Sequence, residues 1–263
     1  MSPFYHAAGH GDQTEEKQEL FGKLVSMLLT ATKKMRRART AYPPFVYFDF
    51  NAGPGIYDAG FEGSPIIALE RARRFGELME GYLYERDPET RDDVGGLADN
   101  LLKRHLNASV RSDHVGAASD AKRIAEAAEG RQIHGLLYCD PNPDRDLVPH
   151  EAIRAVFSHP AFWKLDCLVY VSATNYTRQR QYRERFLLDD LRKIGKRFIG
   201  LREPSGAFQW TFALLTNWPG CPSLPYYGFK WLGTPEGEAL AVKLNLSARE
   251  RNEQTQPDLF ATP

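Results

Sequence analysis

The sequence predicts an α/β domain: a sheet of five parallel strands plus a C-terminal antiparallel hairpin, with helices on both faces. Three observations lead there. From Phe45 onward, short apolar runs alternate with amphipathic stretches, the pattern of βαβ units feeding a parallel sheet. Only Arg202 to Phe208 separates the last two runs, too few residues for a crossover helix, so those two strands must pair antiparallel. A chain of 263 residues can bury a substantial core in one such domain. The expected organisation is a flexible N-terminus at 1–13, the α/β domain at 14–246 and a polar tail at 247–263.

The first helix is expected to start at Asp12, an N-cap with Glu15 three residues on. Leu20, Phe21, Leu24, Val25, Met27 and Leu28 recur at helical spacing, giving it an apolar face that should cover a sheet. It closes in the basic turn Lys33 to Arg39, ahead of Pro43 and Pro44. Strands are predicted at Phe45 to Phe50, Gly81 to Glu85, His114 to Ala117, Gly135 to Cys139, Cys167 to Ser172, Arg197 to Leu201 and Gln209 to Thr216. The helices between them are predicted at Pro65 to Glu80, Gly96 to Leu106, Ala121 to Glu129, His150 to Phe157 and Gln181 to Ile194. No internal repeat is visible.

Lys plus Arg total 34 and Asp plus Glu total 34, so whole-chain charge announces neither nucleic acid nor an anionic membrane, and any such partner must be met by a local patch. Cys139, Cys167 and Cys221 lack zinc-site or disulfide-framework spacing, which favours a reducing, cytoplasmic setting. No run of about 18 apolar residues suits a membrane span, and Met1 to Thr14 has no leader pattern. The 7 histidines form neither a His-Glu-x-x-His pair nor a triad-like grouping, so no metal site is expected.

The sharpest feature is Asp49-Phe50-Asn51-Ala52-Gly53-Pro54-Gly55, directly after an apolar strand and ahead of a helical stretch. Glycines there let the backbone approach a nucleotide-like ligand closely. The turn resembles the Asp-x-Phe-Ala-Gly-x-Gly turn of amino-group DNA methyltransferases and, more closely, the Asp-Leu-Phe-Ala-Gly-Pro-Gly turn of the three-Cys-motif partner family, which also follows it with Gly-Ser-Pro, here Gly63-Ser64-Pro65. Asn51 stands where that family has phenylalanine. The likeness covers roughly Lys17 to Thr216 in order of elements and is specific from Phe48 to Leu69. It implies a Rossmann-like class I methyltransferase sheet that binds S-adenosyl-L-methionine at Asp49, Asn51, Gly53 and Gly55. Glu85 or Asp87, at the tip of the second strand, would accept hydrogen bonds from the ribose hydroxyls. Asp120 would contact the adenine amino group, with helix N-capping as its alternative role.

The fourth strand ends in Cys139-Asp140-Pro141-Asn142-Pro143, where α/β sheets bind ligands. In amino-methyltransferases the matching motif is Asp/Asn-Pro-Pro-aromatic. Here Asn142 replaces the second proline and Pro143 the aromatic, leaving Asp140 and Asn142 as the candidate catalytic pair that positions an amine or hydroxyl. Cys139 lies inside the apolar strand and reads as core. Beyond the fifth strand, Arg178, Arg180, Tyr182 and Arg183 interleave cations with an aromatic ring, a pattern that grips phosphates and stacks on DNA or RNA bases, or simply starts a solvated helix. The Lys33 to Arg39 cluster allows the same nucleic-acid reading or favours the negative end of its own helix. The tail carries Gln256-Pro257-Asp258-Leu259-Phe260, similar to the peptide by which bacterial DNA-maintenance proteins dock on the replicative sliding clamp, with Gln256, Leu259 and Phe260 as anchors. The likeness thus implies a methyltransferase acting on DNA or another nucleic acid, of the kind mobile elements encode. The altered Asp140 motif and the tail also suit a second role, a catalytically degenerate adaptor recruited to the clamp.

Overall fold

A computed structural model describes residues 12–38, 43–57, 60–141, 148–172, 187–204, 210–218 and 224–244. The contacts divide the chain into two compact units, one of residues 1–138 and 158–165, the other of residues 139–157 and 166–263.

The first unit is built on β1 (Phe45–Asp49), whose five residues are all buried. Such a strand needs neighbours on both sides, and it has them. β2 (Met79–Tyr84) pairs parallel along one side, from Phe45 opposite Met79 to Asp49 opposite Leu83. β4 (Gly135–Cys139) pairs parallel along the other, from Val46 opposite Gly135 to Asp49 opposite Tyr138. β3 (Ser109–Arg111) pairs parallel with β2, giving the order β3-β2-β1-β4. Parallel pairing in this register brings the carboxyl ends of β1, β2 and β4 to one edge.

The long first helix, α1 (Asp12–Ala38), buries Phe21, Leu24, Val25 and Leu29, and the Phe21 ring lies 4.6 Å from that of Tyr138, so its apolar face covers the sheet as its spacing predicts. α2 (Ser64–Phe75) starts with Pro65 in its first turn and stops at Gly76, whose left-handed conformation (φ 64°) closes the cap. Lys33 Nζ donates to the Phe75 carbonyl at 2.8 Å, so this member of the basic turn of α1 serves the carboxyl end of α2. Among the described residues of this unit, the other α-helices are the short α3 (Pro88–Asp92), α4 (Leu97–Lys103) and α5 (Ala117–Ala127).

The second unit holds β5 (Leu165–Ser172), β6 (Phe198–Arg202), β7 (Trp210–Thr216) and β8 (Phe229–Trp231), with α6 (His150–Phe157), α7 (Leu187–Lys193) and α8 (Pro235–Leu244). The fully buried β7 lies between β5 and β6, antiparallel to both, and β8 pairs antiparallel with β6. The order is β5-β7-β6-β8, and β6 with β7 is the antiparallel pair that their short connection requires.

Some sequence expectations need correction. The strand predicted at His114 to Ala117 is a 3-10 turn, His114–Gly116, capped by Asp113, whose carboxylate accepts from Val115 N–H. The third strand is Ser109–Arg111, too short to display alternation. The helix expected at Pro65 to Glu80 ends at Phe75, and Met79 and Glu80 already belong to β2. β8 and α3 were not anticipated, and the second half of the helix expected at Gln181 to Ile194 is present as α7.

Candidate active site

At the carboxyl end of β1, Asp49 is completely buried. A carboxylate is tolerated there only if its oxygens are satisfied. Tyr47 Oη, two residues earlier on the same strand face, donates to Oδ2 at 2.6 Å, Ser64 Oγ donates to the same oxygen at 2.6 Å, and the Asn51 amide reaches Oδ1 at 3.2 Å. Ser64 opens α2, so the carboxylate also faces the positive end of that helix. The Gly-Ser-Pro sequence after the turn is thereby explained: its serine ties the helix to the strand end, and its proline fits the helix's first turn.

The turn itself runs through two left-handed glycines, Gly53 (φ 62°) and Gly55 (φ 78°). A Cβ at Gly53 would lie 3.0 Å from Tyr57 Oη, and one at Gly55 3.2 Å from Leu97 Cδ1, so the left-handed backbone requires glycine and a side chain would also crowd these neighbours. The turn is pinned from outside. Asn100 of α4, nearly buried, donates from Nδ2 to the Pro54 carbonyl at 2.8 Å and to the Gly95 carbonyl at 2.7 Å, and Gly63 N–H donates to the Gly55 carbonyl at 2.6 Å.

Glu85 follows β2 directly. Its Oε2 accepts from Gly53 N–H at 2.9 Å and its Oε1 from Asp87 N–H at 2.9 Å, so the carboxylate is held against the glycine turn with both oxygens engaged on one side. Asp87 is used differently: it caps α3, accepting from Thr90 N–H and, at 2.5 Å, from Thr90 Oγ1. Of the two acids read from sequence, Glu85 is the one that meets the turn.

Asp120 lies inside the first turn of α5 and not at its cap, which is Gly116. Its carboxylate accepts from Tyr84 Oη at 3.0 Å and from the guanidinium groups of Arg111 and Arg123 at 3.3 Å. Burial, with the Asp120 charge second, pushes the Tyr84 phenol far above its ordinary range. The acid nearest the end of β3 is Asp113, which sequence reasoning missed because it set the strand at His114 to Ala117, after that residue. Beside Asp113, Val115 is 79% exposed, while the His114 ring stacks on Phe50, the residue after Asp49, at 5.2 Å and 15°.

In the second unit, Asp140 follows β4 and is half-buried. Its negative charge, after burial, raises the pKa of Tyr170 on β5. Tyr170 stacks on Trp210 at the start of β7, with centroids 6.0 Å apart and planes at 27°, and the Arg202 guanidinium carbon sits 5.1 Å from the Trp210 ring centroid. Cys139 is fully buried, in keeping with a core role. Asn142, Arg178, Arg180, Tyr182, Arg183, Gln256, Leu259 and Phe260 lie outside the described residues. Among the described residues, no group of His, Cys, Asp and Glu is arranged to hold a metal ion, and no helix is long and apolar enough to cross a membrane.

The structure therefore brings Asp49, Asn51, Gly53, Gly55 and Glu85 into one hydrogen-bonded loop system, joined by Tyr47, Ser64 and Asn100. Tyr47 and Ser64 were legible as neighbours of Asp49 in strand and motif. Asn100, 46 residues from its Pro54 acceptor, carries no local sequence signal.

No protein-family model matches the sequence, and no curated protein matches it. Among solved structures, the chain is similar to a Legionella pneumophila protein of family DUF519, at 16% identity and TM-score 0.48, over 81% of this chain and 96% of that one. It is similar to a DUF574 family protein from Streptomyces avermitilis, at 13% identity and TM-score 0.41, over 75% and 81% of the two chains. A third likeness is to a modification subunit assigned to a type I restriction enzyme of Vibrio vulnificus, at 11% identity and TM-score 0.37, over 71% of this chain and 43% of that one. Parallel strands in the order β3-β2-β1-β4 and antiparallel strands in the order β5-β7-β6 give this chain the Rossmann-like α/β fold of class I methyltransferases.

Proposed function

We propose that the protein is a cytoplasmic S-adenosylmethionine-dependent methyltransferase of the three-Cys-motif partner type, acting on an amine of DNA or another nucleic acid. The observation that carries this reading is the clasp of Glu85 on the amide of Gly53, which holds an acid at the end of β2 against a bare, left-handed glycine turn at the end of β1. The residues present fit an adenosine group. Glu85 can offer its lone pairs to a ribose diol. Asp49 and Asn51 shape the turn for the amino-acid end of the cofactor. Asp113 and exposed Val115 suit the adenine, one for its amino group and one for its face, and Asp120 steadies the wall behind them through Tyr84.

S-adenosylmethionine, when bound, supplies an electrophilic methyl group. The chain's part is to aim the acceptor: Asp140 takes a hydrogen bond from the acceptor amine, orients its lone pair and receives the proton the amine loses, with Asn142 as second acceptor. Arg178, Arg180, Tyr182 and Arg183 supply phosphate and base contacts.

A second reading is favoured by one observation, the departure of Asp140 to Pro143 from the amino-methyltransferase motif. In it the chain binds cofactor or nothing, performs no transfer, and is brought to a sliding clamp by Gln256, Leu259 and Phe260. Isothermal titration with S-adenosylmethionine, followed by transfer of a radiolabelled methyl group to DNA and RNA, separates the two. Micromolar binding with incorporated label is the expected result; binding without label on any nucleic acid favours the adaptor.

A further inference from the structure

The glycine turn is gripped at consecutive residues by the two ends of one stretch of chain. Gly53 N–H donates to Glu85 Oε2 at 2.9 Å, and the next carbonyl, that of Pro54, accepts from Asn100 Nδ2 at 2.8 Å. Leu97, three residues before Asn100 and so on the same face of α4, is fully buried, with its Cδ1 3.2 Å from where a Cβ of Gly55 would stand. Residues 85–100 therefore leave the turn at a carboxylate and return to it at an amide.

What lies between is tied to both ends. Arg91 Nη1 donates to the Glu85 carbonyl at 3.3 Å, and Asp87, whose N–H meets Glu85 Oε1, caps α3. After α3 the backbone folds so closely that a Cβ at Gly96 would lie 2.7 Å from the Thr90 carbonyl oxygen. The Gly95 carbonyl then accepts from the same Asn100 nitrogen at 2.7 Å. One primary amide thus joins two backbone carbonyls, one on the turn and one on the returning loop. Among uncharged side chains only a primary amide has two hydrogens on one nitrogen. Asn100 is 7% exposed, so water is a poor substitute for either bond.

We propose that Asn100 is a positioning residue of the cofactor site. It sets the glycine turn against Glu85, so that loss of its two bonds loosens the Gly53–Glu85 clasp and, through it, the grip on the cofactor. The ligand in this proposal rests on the methyltransferase reading; the effect on the clasp does not.

The test uses the full-length chain and Asn100→Asp, which keeps the side chain's shape and removes both hydrogens. Asn100→Ser, able to serve one carbonyl, decides the matter if the added charge prevents folding. Amide hydrogen exchange is read by nitrogen-15 NMR, without ligand, at Gly53 and at Gly76, whose N–H closes α2 and serves as reference. S-adenosylhomocysteine is then titrated calorimetrically into each protein. Relative to Gly76, Gly53 should exchange about tenfold faster in Asn100→Asp and about threefold faster in Asn100→Ser. Affinity for S-adenosylhomocysteine should fall in the same order, by about tenfold in Asn100→Asp. An asparagine that only steadied the fold would quicken both amides alike. Gly53 exchange unchanged against Gly76, or affinity within about twofold of wild type in both variants, overturns the proposal. Failure of the methyltransferase reading looks different: wild type itself gives no heat, which removes the ligand half of the proposal, while the Gly53 and Gly76 amides still decide the other half.

Discussion

The ends of β1 and β2 and the end of β5 hold polar groups in opposite states. In the first region every acid has donors: Asp49 has Tyr47, Ser64 and the Asn51 amide, Glu85 has Gly53 and Asp87, and Asp120 has Tyr84 and two arginines. In the second, the buried Trp210 Nε1–H meets no acceptor among the described residues. Satisfied groups fix a shape before the ligand arrives, which suits a cofactor common to every turnover. A buried donor left unsatisfied lowers stability.

The contrast is broken most severely at Asp49. Asp49→Ala takes the acceptor from the buried Tyr47 hydroxyl, the half-buried Ser64 hydroxyl and the Asn51 amide, and should destabilise the protein by about 3 kcal/mol, with loss of cofactor binding. Urea unfolding of the variant checks the first effect; an unchanged midpoint would mean the carboxylate does not organise the turn.

A buried group away from either region serves as a control. Burial, with the Lys164 charge second, lowers the pKa of His134 to about 4 from an ordinary 6.5. A depressed folded value means the unfolded chain binds the proton first, so stability is present above pH 6.5 and is lost as pH falls from 6.5 towards 4. The full loss is about 3 kcal/mol on the scale of 1.36 kcal/mol per unit. His134→Gln should flatten that limb in urea midpoints measured across it, without altering cofactor affinity at neutral pH.

The first region was the more legible in sequence. Asp49, Gly53 and Gly55 announced themselves because a turn that must take left-handed backbone at fixed positions restricts residue choice within seven consecutive letters. Ser64 followed from the same motif. Asn100 did not, since its bond to Pro54 spans two helices and a strand. The third strand was misplaced because three residues cannot show a period, and Asp113, just beyond its end, was therefore not singled out. At β5 the stacked pair was hidden for another reason: Tyr170 and Trp210 look like ordinary strand aromatics until antiparallel register sets them against each other.

Smaller effects sharpen the picture. Asp120→Asn weakens the contacts to Arg111, Arg123 and Tyr84; since both arginines are well exposed, the loss should be about 1 kcal/mol, seen as a shift of a few degrees in Tm. Val115→Ser touches a side chain already 79% exposed, so stability should not change while cofactor affinity falls a few-fold in titration. Unaltered affinity would remove Val115 from the adenine site.

The central claim is that Glu85 holds a ribose diol beside the glycine turn. It is tested most directly by titrating wild type and Glu85→Gln with S-adenosylhomocysteine and with its 2′,3′-dideoxy analogue. The account predicts that wild type binds the parent compound at least tenfold more tightly than the analogue, and that the variant has lost most of that preference. Equal preference in the two proteins, or no binding by either, would contradict it.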